Sequence, residues 1–504
     1  MPASIWRQYV RSDQEMELSA PPIESADLPA NEPHRGCNCG RRRSAPEVTP
    51  LLTDDLVIAA RDRAREPELP EATVERALST PISPRLARYD LIIVSDLPGD
   101  DRETRIAAEF ARHEHRVFHI GKHDSGQLST APTLHRIDAP STPSSGSLLD
   151  SLSTLRRSEA IETAVLFAPG SLEAMIAREV RSRWGWRIVA SSGSPVSLQD
   201  EADIRITFDA NIDVSDHDIN AVPLPEDHPW PARWAAIDKA LRASWPRASV
   251  VVLTHDNLAF SRMCLASLLE NTDYPNYELI VVDNASTDGT VEELQRLAGS
   301  IPSVKVILND HNAGFGPGNN QGLAAATGEI LVLLNNDTVV PRGWLTRLAR
   351  HLDDAGIGLI GPATNRSCNE AQIDIPYQTY GEFQSVARSQ GEQYERQRLP
   401  IRMPMMFCVA FRRDTYERLG PLDERYEVGM FEDEDYALRA KAAGLQVAWT
   451  PEVYVHHAYH ASIGKLLPTG EYMRLVKLNQ GRFEEKWGIC WERHRALPAS
   501  AQTP

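Results

Sequence analysis

The stretch Ile330-Leu331-Val332-Leu333-Leu334-Asn335-Asn336-Asp337 joins a continuous apolar run to a polar end with two amides and a carboxylate. A short run that is apolar at every position is typical of a strand buried on both faces of a parallel sheet. In open α/β sheets, ligands bind outside the carboxyl ends of the strands. The stretch therefore predicts a buried strand that brings Asp337 to the edge of a ligand site.

Three more apolar runs precede this stretch, and each is followed by a helical pattern. The predicted strands are 249–254, 278–283 and 304–308, and the predicted helices are 258–270, 289–297 and 319–326. Four strands that alternate with helices within about 90 residues are typical of a nucleotide-binding α/β sheet. The sequence from 248 onwards therefore predicts a Rossmann-like α/β domain.

Polar residues follow three of these strands at the point where each ends. They are Thr254 and Asn257 after the first strand, Asp283, Asn284, Ser286 and Asp288 after the second, and Asn335, Asn336 and Asp337 after the fourth. Asp283 could accept hydrogen bonds from a nucleobase or a ribose, and Asp337 could hold Mg²⁺ or Mn²⁺ against a diphosphate. Two alternatives stay open: Ser286 and Asp288 also suit helix capping, and Asn-Asn-Asp-Thr also suits a turn.

A second acidic cluster, Phe431-Glu432-Asp433-Glu434-Asp435-Tyr436, opens a helical pattern about a hundred residues later. A carboxylate in such a cluster could serve as a general base if it reaches the acceptor hydroxyl group. Its like-charged neighbours would raise the pKa of Asp433 and make it a better base. Asp435 would point elsewhere on the helix, where it would either cap the helix or pair with Arg439 four residues on.

Bulk composition excludes several classes of protein. With 504 residues the chain is too long for one ordinary core, and two to three domains are expected. The net charge of −17 argues against nucleic-acid binding and against electrostatic docking on an anionic membrane. The sequence has no apolar run long enough for a transmembrane helix, no signal-peptide core, and six cysteines without a disulfide framework. A cytoplasmic location is therefore expected, with peripheral association at the inner face of the membrane left open.

Four segments resemble the signatures of family 2 glycosyltransferases, which have the GT-A fold. In chain order they are Val281–Thr290, Asn312–Gly322, Leu334–Asp337 and Phe431–Arg439. The third resembles the D-x-D metal motif of that family, although only its last position, Asp337, keeps the carboxylate. The fourth resembles the E-D base motif. The resemblance covers about 248–490 and keeps the order of the motifs.

The resemblance implies a role for each matching residue. Asp283 would contact the nucleobase, Asp337 would bind the metal, and Asp433, beside Glu432, would be the general base. A histidine after a later strand would be a further metal ligand; of His456 and His457 only one can face the metal, because neighbouring strand residues point to opposite faces, and His457 is preferred. The remaining candidates for donor binding are Thr254, Asn257, Asn284, Ser286, Asp288, Gly314, Asn320, Asn335 and Asn336.

The implied activity is an inverting, metal-dependent glycosyltransferase that uses Mn²⁺ or Mg²⁺. It would move one hexosyl or deoxyhexosyl unit, such as rhamnose, from a UDP- or dTDP-sugar to a hydroxyl group on a glycan, a lipid-linked glycan or a protein. Such enzymes build cell-surface polysaccharides. The Q-x-x-R-W motif and the membrane helices of processive synthases are not found in the sequence, which favours single-sugar transfer.

Two other functions compete with this interpretation. A sugar nucleotidyltransferase would need a glycine-rich loop with Lys or Arg after the first strand, and Thr254-His255-Asp256-Asn257-Leu258 offers none. A catalytically inactive glycan-binding or scaffold protein of glycan assembly is the alternative. The set of Asp337, Asp433 and His457 argues against it. Met403–Cys408, which precedes the base motif, is interpreted as a strand on the acceptor side or as buried core.

The region before 248 predicts a smaller N-terminal α/β domain. Residues 1–87 are rich in Pro, Glu, Arg and Ser and predict a largely disordered segment with a short helix at 55–65. Residues 88–215 predict a Rossmann-like parallel sheet without a G-x-G-x-x-G fingerprint, with a Ser/Pro-rich surface loop at 141–154. The predicted strands are 90–95, 116–120, 164–167 and 187–190, and the predicted helices are 102–113 and 172–184. Residues 216–247 predict a linker that packs its tryptophans between the domains, the catalytic domain would span 248–493, and 494–504 would be a tail.

Three segments of the N-terminal region resemble, more weakly, the first half of GT-B glycosyltransferases of the family 4 type. They are Tyr89–Val94, Ala168–Ser171 and Trp184–Val189. A complete GT-B enzyme holds its donor mainly in a second Rossmann half, and no such half follows here. The resemblance therefore implies a domain without catalysis of its own, used for acceptor docking or assembly.

Overall fold

The computed structural model describes residues 89–95, 108–113, 115–121, 134–138, 145–168, 174–191, 198, 202–207, 221–223, 230–458 and 471–492. The disorder predicted for 1–87, the helix predicted at 55–65 and the tail at 494–504 lie outside these residues. Among the described residues, no helix combines the length and the apolar character needed to cross a bilayer.

The first sheet contains seven strands, and all its neighbouring strands are parallel. The strands are β1 (Asp90–Ser95), β2 (Val117–Gly121), β3 (Leu134–Asp138), β4 (Ala164–Ala168), β5 (Arg187–Ser191), β6 (Ile204–Thr207) and β7 (Ala221–Pro223). Their order across the sheet is β3-β2-β1-β4-β5-β6-β7. This order contains the 3-2-1-4-5-6 arrangement of a Rossmann fold, so the predicted N-terminal α/β fold is confirmed.

Two predictions for this region differ from the structure. The Ser/Pro-rich span predicted as a loop contains most of a helix, α1 (Ser145–Ser158), which is followed by α2 (Ala174–Trp184). The helix forms because Leu152 and Leu155, three residues apart on one face, are both buried in the core of the first domain. Composition suggested a loop, but the burial of the apolar face outweighs the weak helix propensity of serine. The sheet also extends through β7, past the boundary predicted at 215.

The second sheet is mixed and carries most of the remaining chain. Its strands are β8 (Ala248–Thr254), β9 (Tyr277–Asp283), β10 (Val304–Leu308), β11 (Ile330–Asn335), β12 (Thr338–Val339), β13 (Ile357–Thr364), β14 (Leu399–Pro400), β15 (Cys408–Arg412) and β16 (Gln446–His457). The helices are α3 (Trp230–Ser244), α4 (Leu258–Asn271), α5 (Thr290–Ser300), α6 (Phe315–Ala325), α7 (Trp344–His351), α8 (Tyr380–Gln393), α9 (Arg413–Leu419), α10 (Glu432–Ala442) and α11 (Glu471–Trp487).

Strand direction decides which loops meet at the edge of this sheet. The order is β10-β9-β8-β11-β15-β13-β16-β12, and β14 pairs with β16. Strands β8 to β11 are mutually parallel, β15 is antiparallel to both of its neighbours, and β13 is parallel to β16. Strands β11 and β16 therefore point the same way, so Asn335 and His457 end at the same edge. The crevice between β8 and β11, where the chain order reverses, is the usual place for a ligand.

Three details of the second domain were not anticipated. Of the two alternatives for 403–408, the strand is not found, because Pro404 cannot donate to a ladder and β15 begins only at Cys408. The buried-core alternative is confirmed, since Met403, Met406 and Phe407 are buried. Helix α6 begins at Phe315, four residues before the predicted start, with Pro317 in its first turn, where a missing N–H costs nothing. The other elements between 344 and 419 were not predicted.

Two glycines let helix α6 lie close against strand β8. A Cβ atom added at Gly318 would lie 2.5 Å from Leu253 Cδ1, and one added at Gly322 would overlap Val251. Real Cβ atoms do not approach so closely, so any larger residue would push the helix off the sheet. These two glycines of the Asn312–Gly322 segment thus have a packing role.

Replacing Gly322 with alanine is expected to destabilise the protein by about 1–3 kcal/mol, because the extra methyl group overpacks the helix–sheet contact. The matched control is Gly481→Ala on helix α11, where an added Cβ would meet nothing within 4 Å. That change should stabilise the protein by about 0.5–1 kcal/mol, since alanine loses less backbone entropy than glycine in a helix. Thermal unfolding checks both. An unchanged melting temperature for Gly322→Ala would contradict the close packing.

The two domains share one hydrophobic core and a set of buried ion pairs. Tyr89 of the first domain and Trp245, at the end of α3, belong to the same buried cluster as Leu268 of helix α4. Arg347 of helix α7 donates two hydrogen bonds to Glu162, at 3.1 and 2.5 Å. Burial would raise the pKa of Glu162, but the Arg347 and Arg156 guanidinium groups outweigh it and lower the pKa. The carboxylate therefore stays ionised between the domains.

Candidate active site

The loops that follow β8 and β9 are braced against each other through Asp283. Thr254 Oγ1 donates to Asp283 Oδ1 at 2.8 Å, and the backbone N–H of Ser286 donates to Asp283 Oδ2 at 2.8 Å. The Ser286 hydroxyl group also donates to Asp283, at 2.5 Å. Asp283 is fully buried. These three hydrogen bonds leave one of the four lone-pair sites of the carboxylate for a further donor, and the contact of Asp283 with a nucleobase stays a prediction.

Both loops contain residues in the left-handed region. Asp256, Asn257 and Ala285 have φ values of 52°, 61° and 58°. The backbone N–H of Asp256 donates to Ser286 Oγ at 2.7 Å, and Asp256 Oδ1 accepts the backbone N–H of Thr287 at 2.8 Å. Strained backbone of this kind persists where the surroundings fix it, and it clusters at ligand sites. The two loops are therefore one preformed unit.

Asp288 serves the starts of two helices. Its Oδ2 accepts the backbone N–H of Leu258, the first residue of α4, at 2.7 Å. Its Oδ1 accepts the Thr290 hydroxyl group, at the start of α5, at 2.6 Å. Burial raises the pKa of Asp288, but these hydrogen bonds outweigh it and lower the pKa. Asp288 thus has a structural role at the starts of α4 and α5. Its contact with the sugar donor stays a prediction.

The segment around helix α6 connects the β9 loop to a later loop. Asn284 Nδ2 donates to the carbonyl oxygen of Gly314 at 3.1 Å, and Gly314 has a φ of 93°. Asn320 donates to the Leu422 carbonyl oxygen at 2.9 Å and accepts the Leu422 N–H at 2.8 Å. Asn284 and Gly314 thus lie beside each other, whereas Asn320 faces the 422–424 loop. Their roles in donor binding stay predictions.

Asp337 and His457 approach each other at the end of the sheet. Asp337 Oδ1 lies 3.4 Å from His457 Nε2, and both side chains are more than nine-tenths buried. The backbone carbonyl oxygen of Asp337 accepts the N–H of Ala458 at 2.9 Å, next to the antiparallel pairing of β12 with the end of β16. Asn336 instead donates to Ser261 Oγ at 2.9 Å, towards helix α4. Asn335 contributes its backbone oxygen, which accepts the Thr338 hydroxyl group at 2.7 Å.

Neighbouring side chains hold the two adjacent histidines apart. Asn365 Nδ2 donates to the backbone oxygen of His457 at 3.2 Å, and Asn365 Oδ1 accepts the backbone N–H of His457 at 2.7 Å. The His457 ring stacks on Phe407, with 4.7 Å between the centroids. His456 points the other way, with Nδ1 2.5 Å from the Tyr377 hydroxyl group. The geometry favours His457 over His456 as the partner of Asp337.

Asn365 and Tyr377 were not singled out from the sequence. Asn365 directly follows strand β13, so a polar residue at a strand end was a usable signal for it. Tyr377 carries no such signal, because its contact with His456 spans 79 residues of sequence.

The donor atoms at Asp337 and His457 fit a divalent cation. A carboxylate oxygen and an imidazole nitrogen both suit Mn²⁺, and Mg²⁺ commonly binds through one or two carboxylates together with substrate phosphates. Among the described residues, no group of three or more His, Cys, Asp or Glu side chains is arranged as a metal site. Mg²⁺ bound in this way usually keeps water and substrate phosphates as its other ligands.

The acidic cluster at the start of helix α10 divides into two pairs with different surroundings. Asp435 is bound by Arg439 Nε at 3.0 Å, by Lys486 Nζ at 2.6 Å and by Trp487 Nε1 at 2.9 Å. The predicted i+4 pair of Asp435 with Arg439 is thereby confirmed. Glu434 is bound by the Arg402 guanidinium group, at 2.9 and 3.0 Å, and by Trp491 Nε1 at 3.2 Å. These two acids fix the helix in place.

Glu432 and Asp433 have no ion pair with any cation in residues 230–458 or 471–492. Burial, followed by the Glu434 charge, raises the pKa of Asp433. Burial, followed by the Asp433 charge, raises the pKa of Glu432. A carboxylate with a raised pKa and no ion pair is the kind of group that can accept a proton near neutral pH. Asp433, which is partly exposed, is the more accessible of the two.

Residues 249–420 match the model of Glycosyl transferase family 2. The second domain is a family 2 glycosyltransferase domain. With the mixed, partly parallel sheet described above, this confirms the predicted α/β fold of the GT-A type for this domain. The conclusion concerns the domain, because the matched residues are about a third of the 504-residue chain.

Several curated proteins are similar to part of the chain. An uncharacterized protein, y4gI, of Sinorhizobium fredii is 29% identical over 246 residues, covering 44% of this chain and 26% of its own length. The O-antigen biosynthesis protein RfbC of Myxococcus xanthus is 28% identical over 244 residues, covering 45% of this chain and 18% of its own. Glycosyltransferase AglE of Haloferax volcanii is 24% identical over 223 residues, covering 43% and 68%. The first two relatives are thus matched over about a quarter of their length or less.

Among solved structures, the chain is similar to the mannosyltransferase PcManGT of Pyrobaculum calidifontis in complex with GDP-Man and Mn²⁺. The identity is 21%, the TM-score is 0.34, and the match covers 51% of this chain and 78% of that one. The N-terminal domain lies outside the residues matched by the family model.

Proposed function

We propose that the glycosyltransferase domain moves one sugar from a nucleoside diphosphate sugar to a hydroxyl acceptor, with inversion at the anomeric carbon. The observation that carries the proposal is the 3.4 Å approach of Asp337 Oδ1 to His457 Nε2. This pair lies at the carboxyl edge of the sheet, where the braced loops after β8 and β9 also end. In α/β domains, that edge is where a nucleotide binds.

Each group of residues in the site has a separate proposed role in the reaction. The β8 and β9 loops, with Asp283 at their centre, would hold the nucleoside. Asp337 and His457 would hold Mn²⁺ or Mg²⁺, which when bound supplies positive charge beside the diphosphate. Asp433 would take the proton of the acceptor hydroxyl group as the oxygen forms its bond to the anomeric carbon. The bond from that carbon to the diphosphate oxygen breaks, and the nucleoside diphosphate leaves with the electron pair.

Inversion follows from the position proposed for the base. An acceptor activated on the side opposite to the nucleotide attacks in line, and a single displacement inverts the anomeric centre. The raised pKa of Asp433 supports its role as proton acceptor. The name of the Myxococcus relative, an O-antigen biosynthesis protein, supports a glycan or lipid-linked glycan of the cell surface as the acceptor. A protein acceptor is compatible with the same chemistry.

Nucleoside diphosphate release from a panel of UDP-, dTDP- and GDP-sugars is the direct test. One donor is expected to give release that depends on added Mn²⁺ or Mg²⁺ and stops with EDTA, because slow hydrolysis of the donor can replace transfer when no acceptor is present. Donor-induced shifts of the melting temperature, measured in parallel, report binding independently of turnover. Neither release nor a shift with any donor would reject the transferase and favour an inactive scaffold of glycan assembly.

A further inference from the structure

Four consecutive residues just before the base helix have positive φ. Val428, Gly429, Met430 and Phe431 have φ values of 63°, 145°, 77° and 76°. Three of them carry side chains, and a β-branched residue such as valine in the left-handed region is a genuine outlier. Backbone of this kind persists only where its surroundings fix it. The segment 428–431 is therefore held by contacts from elsewhere in the chain.

Asn479 of helix α11 supplies those contacts. Its side chain is fully buried, and its Nδ2 lies 3.1 Å from the carbonyl oxygen of Glu427, 2.8 Å from that of Gly429 and 3.4 Å from that of Met430. One amide group thus bridges the carbonyl oxygens on both sides of Val428. Val428 itself is 49% exposed, so burial of its own side chain does not account for its conformation.

The segment lies between the proposed donor site and the proposed base. The backbone N–H of Phe315, at the start of α6, donates to the carbonyl oxygen of Val428 at 3.2 Å. On the other side, Phe431 is the N-cap residue of helix α10 and directly precedes Glu432 and Asp433. A change in the path of segment 428–431 would therefore move the base relative to the donor loop.

We infer that Asn479 is a positioning residue for the transfer reaction: it holds segment 428–431 in its left-handed path and so fixes Asp433 relative to the donor. The inference rests on the proposed function. Asn479 lies outside the residues matched by the family model. Its Nδ2 contacts the carbonyl oxygens of Glu427, Gly429 and Met430, and its Oδ1 accepts from Arg482 Nη1 at 3.3 Å. The donor loops are braced separately through Asp283. Loss of the amide should therefore impair turnover more than donor binding.

The test uses Asn479→Asp, which keeps the size of the side chain and removes its N–H donors. The kcat for donor turnover is expected to fall about ten- to a hundredfold, the loss typical of a small misplacement of a catalytic group. The KM for the donor should stay within about threefold, because the donor loops keep their own bracing. Hydrogen exchange of the backbone amides in 427–435 should become faster. Gln480→Ala, one residue along the same helix, is the matched control and should change none of these.

A second substitution separates positioning from a general folding defect. Asparagine adopts the left-handed region more readily than valine, so Val428→Asn combined with Asn479→Asp should restore part of the kcat and slow the exchange again. If Asn479→Asp left either the kcat or the hydrogen exchange unchanged, the positioning role of Asn479 would be overturned, but the proposed function would not. A loss of kcat that Val428→Asn does not recover would also overturn the positioning role. A wild-type protein that gives neither turnover nor a donor-induced shift of the melting temperature with any donor would overturn the proposed function, and the positioning role with it.

Discussion

Replacement of Asp433 by asparagine is expected to lower the kcat for sugar transfer and for donor hydrolysis by about 10²–10⁴-fold, the range typical for loss of a general base. Asparagine has nearly the same shape but cannot accept the proton. Nucleotide binding should be retained, because the proposed donor contacts lie on the loops after β8 and β9. Initial rates at saturating donor, together with nucleoside diphosphate binding by calorimetry, check the two halves of this expectation.

The pH dependence of the wild type gives an independent view of the same group. The base must be ionised to act, so activity falls as pH falls through the pKa of Asp433. Burial and the Glu434 charge raise that pKa, which moves the acid limb of the rate profile above the ordinary carboxyl range. Glu434→Gln removes one of the two causes and should shift the acid limb to lower pH.

Asp435, two residues along, provides the contrasting control. It is fully buried and bound by Arg439, Lys486 and Trp487. Asp435→Asn should therefore lower the melting temperature, since buried cations lose their counterion. Asp433→Asn should leave the melting temperature unchanged or raise it, because it removes a partly exposed carboxylate whose ionisation is disfavoured. If Asp433→Asn retained wild-type turnover, the base would have to be another group, and Glu432 would be tested next.

The sequence predicted strands β8 to β11 best, because apolar runs that end in polar residues are local signals. It did not predict the helices between 344 and 419. Helix α7 shows why: Arg347, Arg350 and His351 are all buried, because they face the first domain and strand β16. A reading of amphipathic periodicity places such residues at the surface. Helix α1 was not predicted because its many serines suggested a loop, although Leu152 and Leu155 form a buried apolar face.

The same limit applies to the site. Asp337 and Asp433 could be found from strand ends and a local acidic cluster. The sequence could not show that the four acids on α10 have different surroundings. Those surroundings depend on Arg402, Trp487 and Trp491, which are distant in sequence. The contact of Asn365 with His457 spans 92 residues, and that of Asn479 with Gly429 spans 50. Patterns within a short window carry no information about such contacts.

Replacement of Asp337 by alanine is expected to lower metal-dependent release of nucleoside diphosphate by about 10²–10³-fold, because several kcal/mol of charge stabilisation at the leaving group would be lost. The fold at this point should survive. The contact that joins Asp337 to Ala458 uses the backbone carbonyl oxygen, which alanine keeps. A loss of activity without a fall in melting temperature would therefore show that the carboxylate of Asp337 is needed for the reaction and that the strand pairing is intact.

Metal binding separates this prediction from other causes of inactivity. Electron paramagnetic resonance of Mn²⁺ titrated into the protein with nucleoside diphosphate should show bound metal for the wild type and much weaker binding for Asp337→Ala. His457→Ala should weaken binding in the same way, since its Nε2 lies 3.4 Å from the carboxylate. Asp310→Ala is the control for loss of one negative charge, because that side chain is 94% exposed. Equal Mn²⁺ binding by wild type and Asp337→Ala would remove Asp337 from the metal site, and the role of the strand-end carboxylate would then reduce to forming the turn between β11 and β12.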